Sequence, residues 1–184
     1  MTERPQPAVT DRPLLAVDAP SLYFRAFHGI PENAARTDAG EPVNAVRGFL
    51  DMLAQLVRTR RPDRVVCALD ASWRPAWRVE LIPSYKRHRV AHGDVEEVPA
   101  ALERQIPVLL EVLEAVGIPA FGVPGYEADD VLGTLAATQR PPVEVVSGDR
   151  DLYQLVDDGR GTRLLYCGRG VAKLEDSDNA AVEK

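Results

Sequence analysis

A chain of 184 residues that is 45% hydrophobic and 27% charged, with a formal net charge of −6, has the make-up of a globular domain with one sizeable core. Its two cysteines exclude a disulfide framework and a zinc motif, and no apolar run is long enough to cross a membrane, so the cytoplasm is the expected compartment. The start, MTERPQPAVTDRP, carries prolines and acids without an apolar stretch, so residues 1–12 are expected to form a polar tail and not a signal peptide.

From Leu14 onward, strands and helices are predicted to alternate. Leu14 to Ala19 reads as a buried strand carrying Asp18 near its end, and Val43 to Arg60 as a helix with Val46, Phe49, Leu50, Leu53 and Val57 on one face. Phe24 and Phe27, between them, read as core. Arg64 to Ala71 is a second strand, with Asp70 near its end. A basic segment follows, in which Arg74, Arg78, Lys86, Arg87 and Arg89, with His88 and His92, face the single acid Glu80. Trp73 and Trp77, four apart, read as a helical apolar pair that packs this segment onto the body.

The spacing of Ile106, Leu109, Leu110, Leu113 and Val116, closed by Gly117, predicts a helix from about Pro99 to Val116. Pro107 lies inside it and costs roughly 3 kcal/mol in a helix interior, so the helix either kinks there or starts near Ile106. Ile118 to Val123 is a third strand, Tyr126 to Gln139 a helix, Val143 to Ser147 a fourth strand, Leu152 to Val156 a short helix and Thr162 to Cys167 a fifth strand. Cys67 and Cys167 fall inside apolar strand runs and read as small buried hydrophobes.

This alternation predicts an α/β fold with a mostly parallel central sheet flanked by helices. Ligands of such sheets bind beyond the carboxyl ends of the strands, and seven acids are expected there: Asp18, Asp70, Glu127, Asp129, Asp130, Asp149 and Asp151. Two like charges about 5 Å apart repel by roughly 3 kcal/mol at an effective dielectric near 20. Such a cluster persists if some acids are protonated or if cations neutralise them, and hard oxygen donors favour Mg²⁺ or Mn²⁺. Each acid also has a plainer reading. Glu127, Asp129 and Asp130 suit the positive end of a helix dipole, and Asp149 and Asp151 suit a cap. Asp18 and Asp70 end apolar strands and need partners.

The order LLAVDAPSLYFRAFHGIP, GEPVNAVRGF, ALDA, SYKRHR, VPGYEADDVLGTLA and SGDRDLYQLV resembles the bacterial 5′-3′ exonuclease and flap endonuclease family, including the N-terminal nuclease domain of DNA polymerase I and its free-standing relatives. The resemblance covers about residues 13 to 167 and implies a PIN-like catalytic domain over 13–184. It implies that the seven acids hold two divalent cations, Mg²⁺ or Mn²⁺, and that the substrate is DNA with a free 5′ end or flap, with an RNA primer in hybrid as a variant. It further implies a link to DNA polymerase and ligase in primer removal and repair. The basic segment, about 71–100, corresponds to the family's basic helical arch. Lys86 and Arg89 are the expected catalytic cations, and Arg25, Arg74, Arg78, Tyr85, Lys86, Arg87 and Arg89 the expected DNA contacts. The family's later acid motif, with two further aspartates, and its glycine-rich helical DNA-binding hairpin have no match here, so the chain corresponds to the N-terminal portion of such a nuclease. Two other readings stay open: a DNA- and metal-binding portion without full activity, and a PIN-like ribonuclease.

Overall fold

The computed structural model describes residues 12–92, 95–96 and 98–182, so the predicted polar tail lies, except for Arg12, outside the described residues. In chain order the elements are β1 (Leu14–Asp18), α1 (Ala19–Gly29), α2 (Asn44–Arg60), β2 (Arg64–Ala68), α3 (Ala76–Leu81), β3 (Val90–His92), β4 (Val95–Glu96), α4 (Ala100–Glu103), α5 (Gln105–Ala115), β5 (Ala120–Phe121), α6 (Ala128–Thr138), β6 (Val143–Ser147), β7 (Thr162–Tyr166), β8 (Glu175–Ser177) and α7 (Asn179–Val182).

The run LLAVD of β1 is buried at every position, as a mid-sheet strand covered on both faces requires. It pairs in parallel with β2 on one side and β6 on the other. The sheet order is β5-β2-β1-β6-β7-β8, with β8 antiparallel to β7, which makes the sheet mixed. Alternate residues feed two cores. Leu15, Val17, Cys67, Val146 and Leu165 pack against α1, α2 and α5. Leu14, Ala16, Val66, Val145 and Leu164 pack against α6 and the 3-10 turn at Arg150–Leu155. The two cysteines behave as expected: both thiols are buried, which pushes them up to about 12 for Cys67 and about 11 for Cys167 and leaves them unreactive.

Several expectations need correction. The predicted first strand stops at Asp18, and Ala19 opens α1, a helix not anticipated although Asp18-Ala19-Pro20 carries an N-cap and a first-turn proline. The buried face of α2 uses Leu56 in place of Val57, which is 37% exposed. Gly48 explains the rotation: a Cβ there would lie 2.9 Å from the Cβ of Ala26, so this face is pressed directly against α1. The interruption expected from Pro107 does occur: the helix breaks at Arg104, because Pro107 has no N–H for the carbonyl of Glu103, and α5 begins at Gln105. The third strand shrinks to Ala120–Phe121. At Gly122 the chain passes so close to the 69–71 segment that a Cβ would sit 2.6 Å from the Leu69 carbonyl oxygen.

The basic segment is not a helical arch along its length. Pro75 and Pro83 bracket α3, which is six residues long, and one 3-10 turn (Arg87–Arg89) and the β3–β4 hairpin complete it. Trp73 precedes α3, so the tryptophans form no helical pair; Trp77 reaches the body by donating its indole N–H to the Gly125 carbonyl at 3.1 Å. The acidic stretch Glu175–Ser177, with no strand signal of its own, is β8. Arg60 holds Asp176 at 3.0 Å and pairs with Glu144 inside β6, while Arg163 Nε lies 3.2 Å from Asp176. Among the described residues no helix is long and apolar enough to cross a membrane.

Candidate active site

From β1 the chain builds β2 and β5 outward in one direction, then returns to lay β6, β7 and β8 in the other. The carboxyl ends of β1 and β6 thus border a topological switch point, where open α/β sheets leave a crevice. A cleft of about 320 Å³ occupies it, lined by Asp18, Asp70, Asp129 and Asp149 together with Lys86, Arg89 and Phe24. Phe24 is therefore a half-buried wall of the cleft and not core, and Phe27 is likewise half-buried, set edge-on to His28.

Asp18 is 5% exposed, and its bonded partners are neutral: the Ser21 N–H at 3.1 Å and the Ser147 hydroxyl at 2.5 Å. Burial, against those two hydrogen bonds and with help from Asp129 and Asp70, pushes its carboxyl up to about 7 from an ordinary 3.8. The folded protein then keeps a proton that the unfolded chain has released between those values. Metal-free stability is accordingly expected to fall as pH rises through that window, by up to about 4 kcal/mol. Asp18→Asn should remove that slope. Urea unfolding in EDTA at both ends of the window measures it, and equal slopes in the two proteins would refute it.

Asp70 lies two residues beyond β2 and accepts the Ala128 N–H at 2.7 Å, which fixes it to the start of α6. Asp129, in the first turn of α6, is held above the usual carboxylate range by burial and then by the Asp149 charge, against the pull of Lys86. Asp149 N-caps the turn after β6 by accepting the Asp151 N–H at 2.9 Å. Asp151 is already inside that 3-10 turn and is exposed outside the cleft lining, so of the two only Asp149 joins the site.

Glu127 and Asp130 stand differently from Asp129. Glu127 is the N-cap of α6, 1% exposed, with Asp130 Oδ2 accepting its N–H at 2.9 Å in a capping box. Its carboxylate takes the Tyr85 hydroxyl at 2.6 Å and pairs with both Lys86 and Arg78. Arg78 Nη2 also reaches Asp130 at 2.7 Å. These two acids anchor the basic segment to α6, while Asp129 alone of the three faces the cleft.

The expected DNA contacts divide in the same way. Arg74 donates to the Tyr85 carbonyl at 2.7 Å and braces the segment from within, while Arg78 ties it to α6 through Glu127 and Asp130. The Tyr85 ring lies near Arg78 and Lys86, 5.5 and 5.6 Å from its centre. Arg87 is exposed, and Arg25 donates to the Gly168 carbonyl at 2.9 Å. Lys86 and Arg89 are the two that line the cleft. Among the described residues no three acidic, histidine or cysteine side chains are gathered tightly enough to grip a metal as they stand. The donor set nonetheless suits one: four hard carboxylates from four segments, with Asp18 buried on neutral partners and Asp129 and Asp149 repelling each other.

The family model for the 5′-3′ exonuclease N-terminal resolvase-like domain matches residues 13–184. The chain belongs to this family. It is 54% identical over 175 residues to a 5′-3′ exonuclease of Streptomyces coelicolor, covering 92% of this chain and 58% of that one. It is 53% identical over 169 residues to a 5′-3′ exonuclease of Mycobacterium tuberculosis, covering 88% and 53%. It thus spans a little over half the length of these relatives. Among solved structures, a T5 flap endonuclease in a pseudo-enzyme-product complex with DNA and metal ions shares the fold, with a TM-score of 0.58 at 19% identity, covering 91% of this chain and 58% of that one. In this 5′-3′ exonuclease family domain, sequence reasoning overlooked Ser21 and Ser147, both bonded to Asp18, although a serine closing the apolar strand VEVVS was a visible signal. It also overlooked Gln105, buried against Asn44 at 3.0 Å.

Proposed function

We propose that the chain is the catalytic portion of a metal-dependent 5′ nuclease that hydrolyses DNA phosphodiesters at a free 5′ end or flap. The observation that carries this reading is the meeting of Asp18, Asp70, Asp129 and Asp149, from four separate segments, with Lys86 and Arg89 across one cleft. The family membership and the T5 flap endonuclease complex with DNA and metal ions support it. On this reading 13–184 is a PIN-like catalytic domain, and 71–100 is its arch in function though only partly helical.

Asp18, Asp70, Asp129 and Asp149 would hold divalent cations, Mg²⁺ or Mn²⁺; when bound, such ions supply Lewis acidity at a phosphate and acidify water. Glu127 and Asp130 act one layer out, holding the arch through Arg78, Tyr85 and Lys86. Lys86 and Arg89 carry positive charge to the cleft wall, where it orients a phosphodiester and offsets the charge that builds on its oxygens. Phe24 supplies an apolar wall beside the acids. In the cell such an activity would work beside DNA polymerase and ligase, removing primers and trimming flaps.

Incubation with 5′-flap DNA, a primer hybrid and single-stranded RNA, in Mg²⁺, Mn²⁺ or EDTA, tests the reading. Flap cleavage that EDTA abolishes is the expected result. Cleavage confined to RNA would favour a PIN-like ribonuclease instead. Metal uptake without cleavage of any substrate would favour a DNA- and metal-binding portion.

A further inference from the structure

Two serines without a role so far close a ring of hydrogen bonds beneath the cleft. Ser147, the last residue of β6, has no exposed surface. Its hydroxyl donates to Asp18 Oδ2 at 2.5 Å and accepts the Asp149 N–H at 3.0 Å. Ser21, in the first turn of α1, gives its own N–H to Asp18 Oδ1 at 3.1 Å, and its Oγ accepts the Gly148 N–H at 2.9 Å. The ring runs from Asp18 through Ser21, Gly148, Asp149 and Ser147 back to Asp18. Gly148 permits it, since a Cβ there would come within 3.0 Å of the Ser21 Oγ.

Each oxygen of Asp18 accepts one of these bonds and keeps a lone pair in reserve. A carboxylate on a single Cβ–Cγ bond is otherwise free to turn, and that rotation would change which lone pairs face Asp129 and Asp149. The Ser147 hydroxyl on Oδ2, with the Ser21 N–H on Oδ1, removes this freedom. It also ties the amide of Asp149, two residues beyond β6, to the side chain of Asp18, at the end of β1, across the switch point. We propose that Ser147 is a positioning residue, whose one hydroxyl fixes the Asp18 carboxylate and the Asp149 backbone relative to each other so that the two acids can share a cation. The proposal rests on the metal-nuclease reading above. The rival role for a fully buried serine is simple space filling.

Calorimetric titration with Mn²⁺ separates the two, in the unsubstituted chain and in Ser147→Ala, Ser147→Thr, Ser147→Cys and Asp129→Asn, with thermal unfolding of each in EDTA. Partners outside the metal shell typically contribute about 10- to 100-fold in metal affinity. Ser147→Ala is therefore expected to bind Mn²⁺ about tenfold or more weakly while still unfolding cooperatively, at a temperature lowered only as the loss of one buried hydrogen-bond partner implies, and Ser147→Thr to recover most of the affinity. Ser147→Cys keeps the volume but has a weak donor, so it should lose affinity as alanine does, and it carries the test if alanine impairs folding. Unsubstituted affinity in either Ser147→Ala or Ser147→Cys would overturn the proposal. No Mn²⁺ uptake by the unsubstituted chain, or full uptake by Asp129→Asn, would overturn the metal reading itself and the proposal with it.

Discussion

Asp129→Asn is expected to slow cleavage of 5′-flap DNA on the order of 10³-fold while leaving DNA affinity within about threefold, because a neutral amide is a poor ligand for a hard cation. Asn keeps the size and shape of the residue. Asp129 takes no part in the capping box of α6, which Glu127 and Asp130 make, nor in the grip on Arg78 and Lys86. The substitution also removes a charge that burial and Asp149 both penalise. The variant should therefore be at least as stable as the unsubstituted chain in EDTA, which separates loss of chemistry from loss of fold. Single-turnover cleavage and a gel-shift titration in Ca²⁺ measure the two quantities. A rate within tenfold of the unsubstituted chain would remove Asp129 from the site.

Lys86 offers the second large effect, and its backbone decides how to test it. Its φ is +47°, in the left-handed region that an alanine would occupy only under strain, so Lys86→Gly is the cleaner truncation. Removing one charged donor from a cleft wall typically costs about 10²- to 10³-fold in rate. Lys86→Gly is expected to fall in that range. Glu127 would still accept from Tyr85 and pair with Arg78, so its burial remains compensated and the fold should survive. Lys86→Arg, which keeps the charge, is expected to retain more activity than glycine. Equal rates for Lys86→Gly and the unsubstituted chain would leave the lysine with an anchoring role alone.

The positions of the acids were legible because an acid that ends an apolar strand is hard to explain otherwise. Asp18, Asp70 and Asp149 do come to one edge, since the strands before them run parallel. How Glu127, Asp129 and Asp130 divide between cleft and arch was not legible. Helix periodicity places all three at the start of α6, but their assignment depends on Arg78 and Lys86, which lie 49 and 41 residues before Glu127. The same distance in sequence hid β8, whose pairing draws on Arg60, 116 residues before Asp176. Strand propensity carries no signal for such partners. α1 is legible in principle, through the Asp18 N-cap and Pro20, but the apolar run before it carries the stronger signal, that of a strand.

α1 is fastened at both ends. At its start Asp18 and Ser21 are tied into the floor of the cleft. At its finish the buried Asn44 side chain donates to the carbonyls of Phe27 and Ile30 at 3.1 and 2.9 Å, and Gln105 in turn donates to Asn44. Eleven helical residues make a strut about 16 Å long. A rod gripped at both ends passes a push at one end to the other with little loss. One short helix thus joins Asp18 to the polar clamp at Asn44 and Gln105, and Asn44→Ala is expected to weaken Mn²⁺ binding in a calorimetric titration although Asn44 lies outside the cleft lining.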